Sequence, residues 1–162
     1  MIIVVVYVYD IIFTSDLQIV SVNFSSDMNK EFEISLLGEL TFFLGLQVYQ
    51  SEKWIFILQN KYIKAMLKKF KLEDSNSVST PMVTNCKLSK DDDSLEVYHT
   101  MYIYMIGRLL YVTATRPDVM QVVGLVARFQ SILKETHVNI VERILKYLKG
   151  TMDYGLWYPK SQ

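Results

Sequence analysis

One cysteine, Cys86, is all the thiol chemistry this 162-residue sequence offers. No internal disulfide can form, and a reducing, intracellular compartment is expected, cytoplasmic or nuclear rather than secreted. Cys86 sits in a polar stretch with no base near it in sequence, which fits a free surface thiol better than a nucleophile. Excess charge is lacking too: Lys+Arg and Asp+Glu both number 17, so any affinity for nucleic acid must come from local patches. The two histidines, His99 and His137, have no partner at metal-ligand spacing and read as ordinary polar positions. Long apolar runs are missing as well. Asp10 interrupts Met1 to Tyr9 well short of the roughly 20 residues of a membrane span, and a basic leader and a small-residue cleavage site are absent, so neither a membrane partner nor a signal peptide is implied. Against these absences stand 51% hydrophobic and 13% aromatic residues, which exclude disorder and supply a core for one domain or a pair of subdomains.

The N-terminal part is organised around Val4-Val5-Val6-Tyr7-Val8-Tyr9-Asp10-Ile11-Ile12-Phe13. Apolar and aromatic positions on both sides of one acid predict two short buried strands with a tight connection at Tyr9-Asp10. Asp10 there either hydrogen-bonds the turn or acts as a ligand. Ser15-Asp16-Leu17-Gln18 has the Ser-x-x-Gln form of a capping box, and Leu17, Val20, Phe24, Met28 and Phe32 form the stripe of a helix of about four turns packed on the hairpin.

Gly38 marks a turn, after which Thr41 to Tyr49 alternates as one strand, with Phe42, Leu44, Leu46 and Val48 on one side and Phe43, Gly45, Gln47 and Tyr49 on the other. Ser51-Glu52-Lys53 joins it to a second strand, Trp54 to Leu58, in a hairpin. Gly45 fits a bulge or tight packing, and equally fits the close approach of a nucleic-acid backbone. Asn60 can cap a helix running to Phe70 with Tyr62, Ile63, Met66, Leu67 and Phe70 inside. Its other face carries Lys61, Lys64, Lys68, Lys69 and Lys71 with no acid between them, a solvated surface or a set of phosphate contacts. Residues 73–100 read as a long surface connection in which Lys90-Asp91-Asp92-Asp93 is solvated loop rather than a metal site.

The last third reads as helices. Met101, Met105, Ile106, Leu109, Leu110 and Val112 to Thr113 mark one that ends before Arg116-Pro117. Pro117 opens the next, with Val119, Val122, Val123, Val126 and Phe129 buried. Thr136 caps a third, with Val141, Ile144, Leu145 and Leu148 inside and Gly150 at its end, while Arg128, Arg143, Lys146 and Lys149 gather on outer faces.

Tyr7-Val8-Tyr9-Asp10, Leu37-Gly38-Glu39-Leu40-Thr41-Phe42-Phe43-Leu44-Gly45-Leu46-Gln47-Val48, Ser79-Thr80-Pro81-Met82, the run from Tyr104 through Thr115-Arg116-Pro117-Asp118, and Arg143 to Thr151 occur in that order. Together they resemble the reverse transcriptase region of copia-type LTR retrotransposon polyproteins over nearly all of the sequence. The resemblance implies an α+β chain: a partial palm over 1–58 with an active-site hairpin at Tyr7 to Asp10 and a primer-grip hairpin, the first thumb helix over 59–72, a surface linker over 73–100, and a helical thumb and connection over 101–162. A ribonuclease H domain follows this region in the family. The implied activity is RNA-directed DNA synthesis, with Mg²⁺ as cofactor and an RNA/DNA primer-template duplex as partner. Phe43, Leu44, Gly45 and Leu46 would belong to the primer grip, and Lys64, Lys68, Lys69, Arg143 and Lys146 would contact nucleic acid. The family's hairpin motif is Tyr-Val-Asp-Asp, however, and Tyr9 stands here where the first acid belongs. Two Mg²⁺ ions about 4 Å apart need several carboxylates, and the family draws another from a strand upstream of the hairpin. Asp10 alone is an incomplete metal site that should not hold Mg²⁺ stably, so the chain is expected not to polymerise DNA by itself. It reads as a transposable-element remnant, whose other possible fates are a passive nucleic-acid-binding or protein-association module and an unselected pseudogene product. Val4, Val6, Phe42 and Phe56 are patterned for burial, so self-association through exposed palm surface is expected.

Overall fold

β-Branched and aromatic residues crowd the first fifteen positions, and in the computed structural model they form an antiparallel hairpin of β1 (Ile2–Tyr7) and β2 (Asp10–Ser15), in register from Ile2↔Ser15 to Tyr7↔Asp10. The structure describes residues 1–83, 88, 99–131 and 133–160. They fall into two compact units, Met1–Leu40 and Thr41–Gln162, with a mixed α/β architecture of two antiparallel sheets and five helices.

In the first unit the loop is Val8-Tyr9, one residue earlier than the acid suggests. This register sets Val4 opposite Phe13, Val5 opposite Ile12 and Val6 opposite Ile11, and keeps Asp16 out of the ladder, where it meets the N-terminal ammonium at 2.7 Å. The strands are not buried as expected: β1 is exposed from Ile3 to Tyr7. Helix α1 (Gln18–Glu31) packs on β2, with the Phe13 and Phe24 rings edge to face at 5.0 Å. Val20, Phe24 and Met28 are half-buried, whereas Leu17 and Phe32 fall on the two flanking cap positions and are exposed. The capping box does not form. Ser15 is still in the ladder, and its hydroxyl donates to the Leu17 carbonyl and meets the Ser21 hydroxyl instead.

The second unit holds a four-stranded sheet in the order β3 (Phe42–Phe43), β4 (Leu46–Gln50), β5 (Trp54–Leu58), β6 (Gly155–Pro159), antiparallel throughout. Thr41 to Tyr49 is therefore two strands rather than one. Leu44 (φ +48°) and Gly45 (φ +85°) form a two-residue turn with both φ angles positive, the geometry that suits the right-handed twist of a hairpin. The turn reverses the parity of the alternation, so Phe42 shares a face with Gln47 and Tyr49 and not with Val48. The β4–β5 connection is as expected, with the Ser51 hydroxyl accepting from the amides of Lys53 and Trp54. The helical reading of 101–162 misses β6. Gly155 is required there: a Cβ on it would run into the Ile57 carbonyl oxygen of β5.

Helices α2 (Asn60–Lys69), α3 (His99–Val112), α4 (Pro117–Ala127) and α5 (Glu135–Gly150) enclose the core. Ile63, Met66 and Leu67 of α2, Val119, Val123 and Val126 of α4, and Val141, Ile144, Leu145 and Leu148 of α5 are buried on the stripes their spacing predicts. In α3 the stripe is Tyr102, Met105, Ile106, Leu109 and Val112, while Met101 and Leu110 face outward. Tyr102 enters the core because its hydroxyl donates to the Val126 carbonyl at 2.7 Å, and burial raises its pKa well above 10.

Two expected caps are replaced. Asn60 lies inside α2, where its amide donates to Asp153, and the Lys61 amide is capped by the Gln47 side chain from β4 at 2.7 Å. Thr136 lies inside α5, and the first residue before that helix is Lys134, whose amide donates to Nδ1 of His137. His137 is thus no ordinary polar position: it is fully buried, stacked on Phe129 at 4.2 Å. The His99 side chain lies outside the described residues, as do Cys86 and the Lys90-Asp91-Asp92-Asp93 run. Of the stretch 73–100, the described first part is tied to α5 by Arg143 donating to Thr80 and Lys149 donating to the Ser75 carbonyl.

Thr115-Arg116-Pro117-Asp118 is the polar centre of this unit. The Thr115 hydroxyl donates to the buried Gln59 side chain, which in turn donates to the Tyr111 carbonyl. Arg116, 1% exposed, grips Asp118 with two hydrogen bonds of 2.9 and 2.6 Å and donates to the carbonyl and hydroxyl of Thr151. Its guanidinium lies 5.5 Å from the Tyr147 ring centroid and 5.4 Å from that of Tyr154, and the Tyr147 hydroxyl donates to Asp118. One side chain therefore joins the start of α4 to the end of α5.

Candidate functional site

The tip of the β1–β2 hairpin is Val8-Tyr9. Val8 has φ +53°, a conformation in which a β-branched residue is strained by about 1–3 kcal/mol and which tends to collect at functional sites. Tyr9 is 96% exposed, and Asp10 follows it as the exposed first residue of β2, paired across to Tyr7. The motif thus presents one phenol and one carboxylate side by side. Among the described residues no group of three or more His, Cys, Asp and Glu side chains is placed to hold a metal ion.

In the second unit, Phe43, Leu44, Gly45 and Leu46 form the β3–β4 turn. A Cβ on Gly45 would stand 3.2 Å from the Tyr111 hydroxyl, so glycine meets both a conformational and a packing demand here. Tyr111 stacks edge to face on Tyr62 at 4.9 Å, which sets this turn beside α2. Lys61, Lys64, Lys68, Lys69 and Lys71 are all exposed, and among the described residues none is in an ion pair with a carboxylate. Lys71 ends the helix: at φ +57° it holds a left-handed position, with its amide on the Lys68 carbonyl and the Leu72 amide on the Leu67 carbonyl.

A cationic and aromatic ladder runs between α2 and α3. The Lys69 ammonium lies 4.6 Å from the Tyr104 ring centroid, and the Arg108 guanidinium lies 4.7 Å from Tyr104 and 5.8 Å from Tyr62. Hydrogen bonds from Lys69 and Arg108 hold the Tyr104 phenol below its ordinary pKa, while burial raises that of Tyr62 against the pull of Arg108. Tyr104 and Arg108 are missed by reasoning from spacing alone because they sit at the edge of the buried stripe, where a tyrosine reads as core and an arginine as solvent.

The structure separates the remaining candidates in kind. Arg143 is engaged with Thr80, and Lys146 lies 3.7 Å from Glu142 on its own helix, so both are partly committed within the fold. Lys64 and Lys68 have no such carboxylate among the described residues. The cation row that is not neutralised within the described fold is therefore on α2, next to the β3–β4 turn.

Comparisons with known proteins agree with these motifs. The family model described as reverse transcriptase (RNA-dependent DNA polymerase) matches residues 1–84, just over half of the chain. The Retrovirus-related Pol polyprotein from transposon RE1 of Arabidopsis thaliana is 30% identical over 96% of this chain, and that from transposon TNT 1-94 of Nicotiana tabacum is 30% identical over 93%. The chain spans only 11% and 12% of those two polyproteins. An uncharacterized mitochondrial protein of Arabidopsis thaliana is 26% identical over 96% of the chain, which covers 64% of its length. No solved structure matches significantly. Among the described residues no helix is long and apolar enough to cross a membrane. With the ordered motifs, the family match and the Pol relatives in hand, the chain belongs to the reverse transcriptase family, in the region found in copia-type retrotransposon Pol polyproteins.

Proposed function

We propose that this chain is a segment of a retrotransposon reverse transcriptase that holds a primer-template duplex but does not itself synthesise DNA. In this reading β1, β2 and α1 are the active-site part of a palm, the β3–β4–β5 hairpins are its primer grip, α2 opens the thumb, and α3 to α5 are thumb and connection. The observation that carries it is the α2 face, with exposed lysines that no described carboxylate pairs, beside the Leu44-Gly45 turn. A row of such cations neutralises phosphates without reading bases, which is what a polymerase needs of its grip.

The Mg²⁺ chemistry of the family does not fit the hairpin donor set. A two-ion centre needs several hard carboxylate oxygens, and Tyr9 supplies a neutral phenol where the first acid belongs. Asp10 by itself cannot bridge two ions. The test is primer extension with Mg²⁺ and nucleotides, run beside a binding titration on the same duplex. Binding without extension is expected, and extension abolished by Asp10→Ala would refute the inactive reading.

A second reading, protein association, has one observation of its own. Strand β1 is the open edge of a two-stranded sheet and exposes Ile3, Val4, Val5 and Val6 with no charge among them. Self-association through this edge is measured by light scattering of the purified chain.

A further inference from the structure

The β3–β6 sheet brings together aromatic residues that lie far apart in sequence. Its register sets Tyr49 of β4 opposite Phe56 of β5, and Phe56 opposite Trp157 of β6, so the three share one face in one row. Phe42 and Trp54 belong to the same face. The outer rings of the row, Tyr49 and Trp157, are 50% and 59% exposed with Phe56 half-buried between them, Phe42 is 52% exposed, and Gln47 and Leu58 on the same face are buried, so the open part of the face is its aromatic part. The other strand positions on this face are Gln47, Leu58, Gly155 and Pro159, so it carries no carboxylate. At its rim the Lys61 ammonium lies 5.8 Å from the Phe42 ring centroid, beside a groove lined by Thr41, Phe42, Gln47, Val48, Tyr49 and Lys61 itself.

We infer that this face is a stacking platform for unpaired bases, binding a single strand of nucleic acid whose backbone runs along the Lys61 rim. The charge pattern suits a polyanion, with a cation at the edge and no acid among the strand positions of the face. The spacing favours a single strand over a duplex. Neighbouring strands of a sheet are about 4.8 Å apart, wider than the roughly 3.4 Å rise of stacked bases in a duplex, so bases seated on side chains of successive strands are unstacked from one another. Rings accept any base face, so the platform is indifferent to sequence. It shares Lys61 with the α2 lysine row and strands β3 to β5 with the proposed primer grip, but its ring row ends on Trp157 of β6, away from Lys64, Lys68 and Lys69, so a change at Trp157 separates it from duplex holding.

The test uses the full 162-residue chain with a fluorescent oligothymidylate of about 12 nucleotides, within the range of known single-strand site sizes, and a duplex of the same length at matched salt. Trp157→Leu removes the ring but keeps an apolar side chain at a largely exposed position, and Trp157→Phe keeps a stacking ring. In a Trp54→Phe background, Trp157 emission should be quenched by the oligonucleotide. Trp157→Leu should weaken oligothymidylate binding on the order of tenfold, with Trp157→Phe close to the parent and duplex binding unchanged. Equal loss for both ligands, unchanged oligothymidylate binding in the Leu variant, or a Leu variant that changes only the oligomeric mass overturns the platform. Absence of duplex binding by the parent chain while Trp157 still governs the single strand would refute the duplex reading and leave this one standing.

Discussion

Replacing Arg116 by Met tests whether the Thr115-Arg116-Pro117-Asp118 motif is a structural joint. The guanidinium makes two hydrogen bonds to Asp118 and two to Thr151, and lies 5.5 and 5.4 Å from the ring centroids of Tyr147 and Tyr154. Removing one member of a buried pair costs about 3–5 kcal/mol, mainly because its partner is left uncompensated. The Asp118 side chain is 34% exposed and can recover water, which places the cost at the low end, about 3 kcal/mol. For a unit the size of 41–162, between small domains and those of roughly 150 residues, each kcal/mol lowers Tm by about 3–5 °C, so a fall of about 9–15 °C follows. Both tryptophans, Trp54 and Trp157, lie in the 41–162 unit, so a thermal melt followed by tryptophan fluorescence reports on that unit alone. A cycle with Asp118→Asn should show coupling of about 1–3 kcal/mol. A fall under about 2 °C, or strict additivity in the cycle, would refute the joint.

Four further outcomes concern the helix end at Lys71, the two sides of the Asp118–Tyr147 bond, and the β1 edge. Lys71 carries a steric penalty in its left-handed position that glycine would not, so Lys71→Gly should raise stability by about 1 kcal/mol, read from the urea midpoint of the 41–162 unit. The Arg116 guanidinium and the Tyr147 hydroxyl hold Asp118 below its ordinary pKa even though burial opposes this. Its contribution is therefore full above about pH 4 and is lost as pH falls through the depressed folded value, and Asp118→Asn should flatten the acid limb of the Tm–pH curve. Burial and the Asp118 bond raise Tyr147 above its ordinary value, so its contribution is lost only on the alkaline side. On β1, Val6→Lys puts a charge on the exposed edge and should reduce the associated mass seen by light scattering.

The parts of the fold legible in the sequence are those set by local periodicity. The stripes of α2, α4 and α5, Pro117 at the start of α4 and the Ser51-Glu52-Lys53 connection depend on residues close in the chain. What escapes is decided at long range. Gly155-Leu156-Trp157-Tyr158-Pro159 becomes a strand only because β5, far earlier in the chain, offers an edge. Gln47 caps α2 from a neighbouring strand, and His137 caps α5 with a ring that Phe129 buries. The Leu44-Gly45 turn is hidden because Leu44 carries none of the usual turn chemistry, and alternation continues across it with its parity reversed. For the site, the motifs lead to the hairpin tip and to α2, but not to the aromatic face of the sheet, because Trp157 reaches that face on the strand that periodicity misses.

Duplex holding by α2 is tested most directly by the salt dependence of primer-template binding, for the parent chain and for a variant with Lys64, Lys68 and Lys69 all replaced by Ala. If α2 lies along the duplex backbone, the parent's log K should fall linearly with log salt concentration, and the triple change should reduce the slope by about 0.9 for each phosphate that is no longer neutralised. A triple variant with the parent's slope, or a parent that fails to bind at low salt, would contradict it.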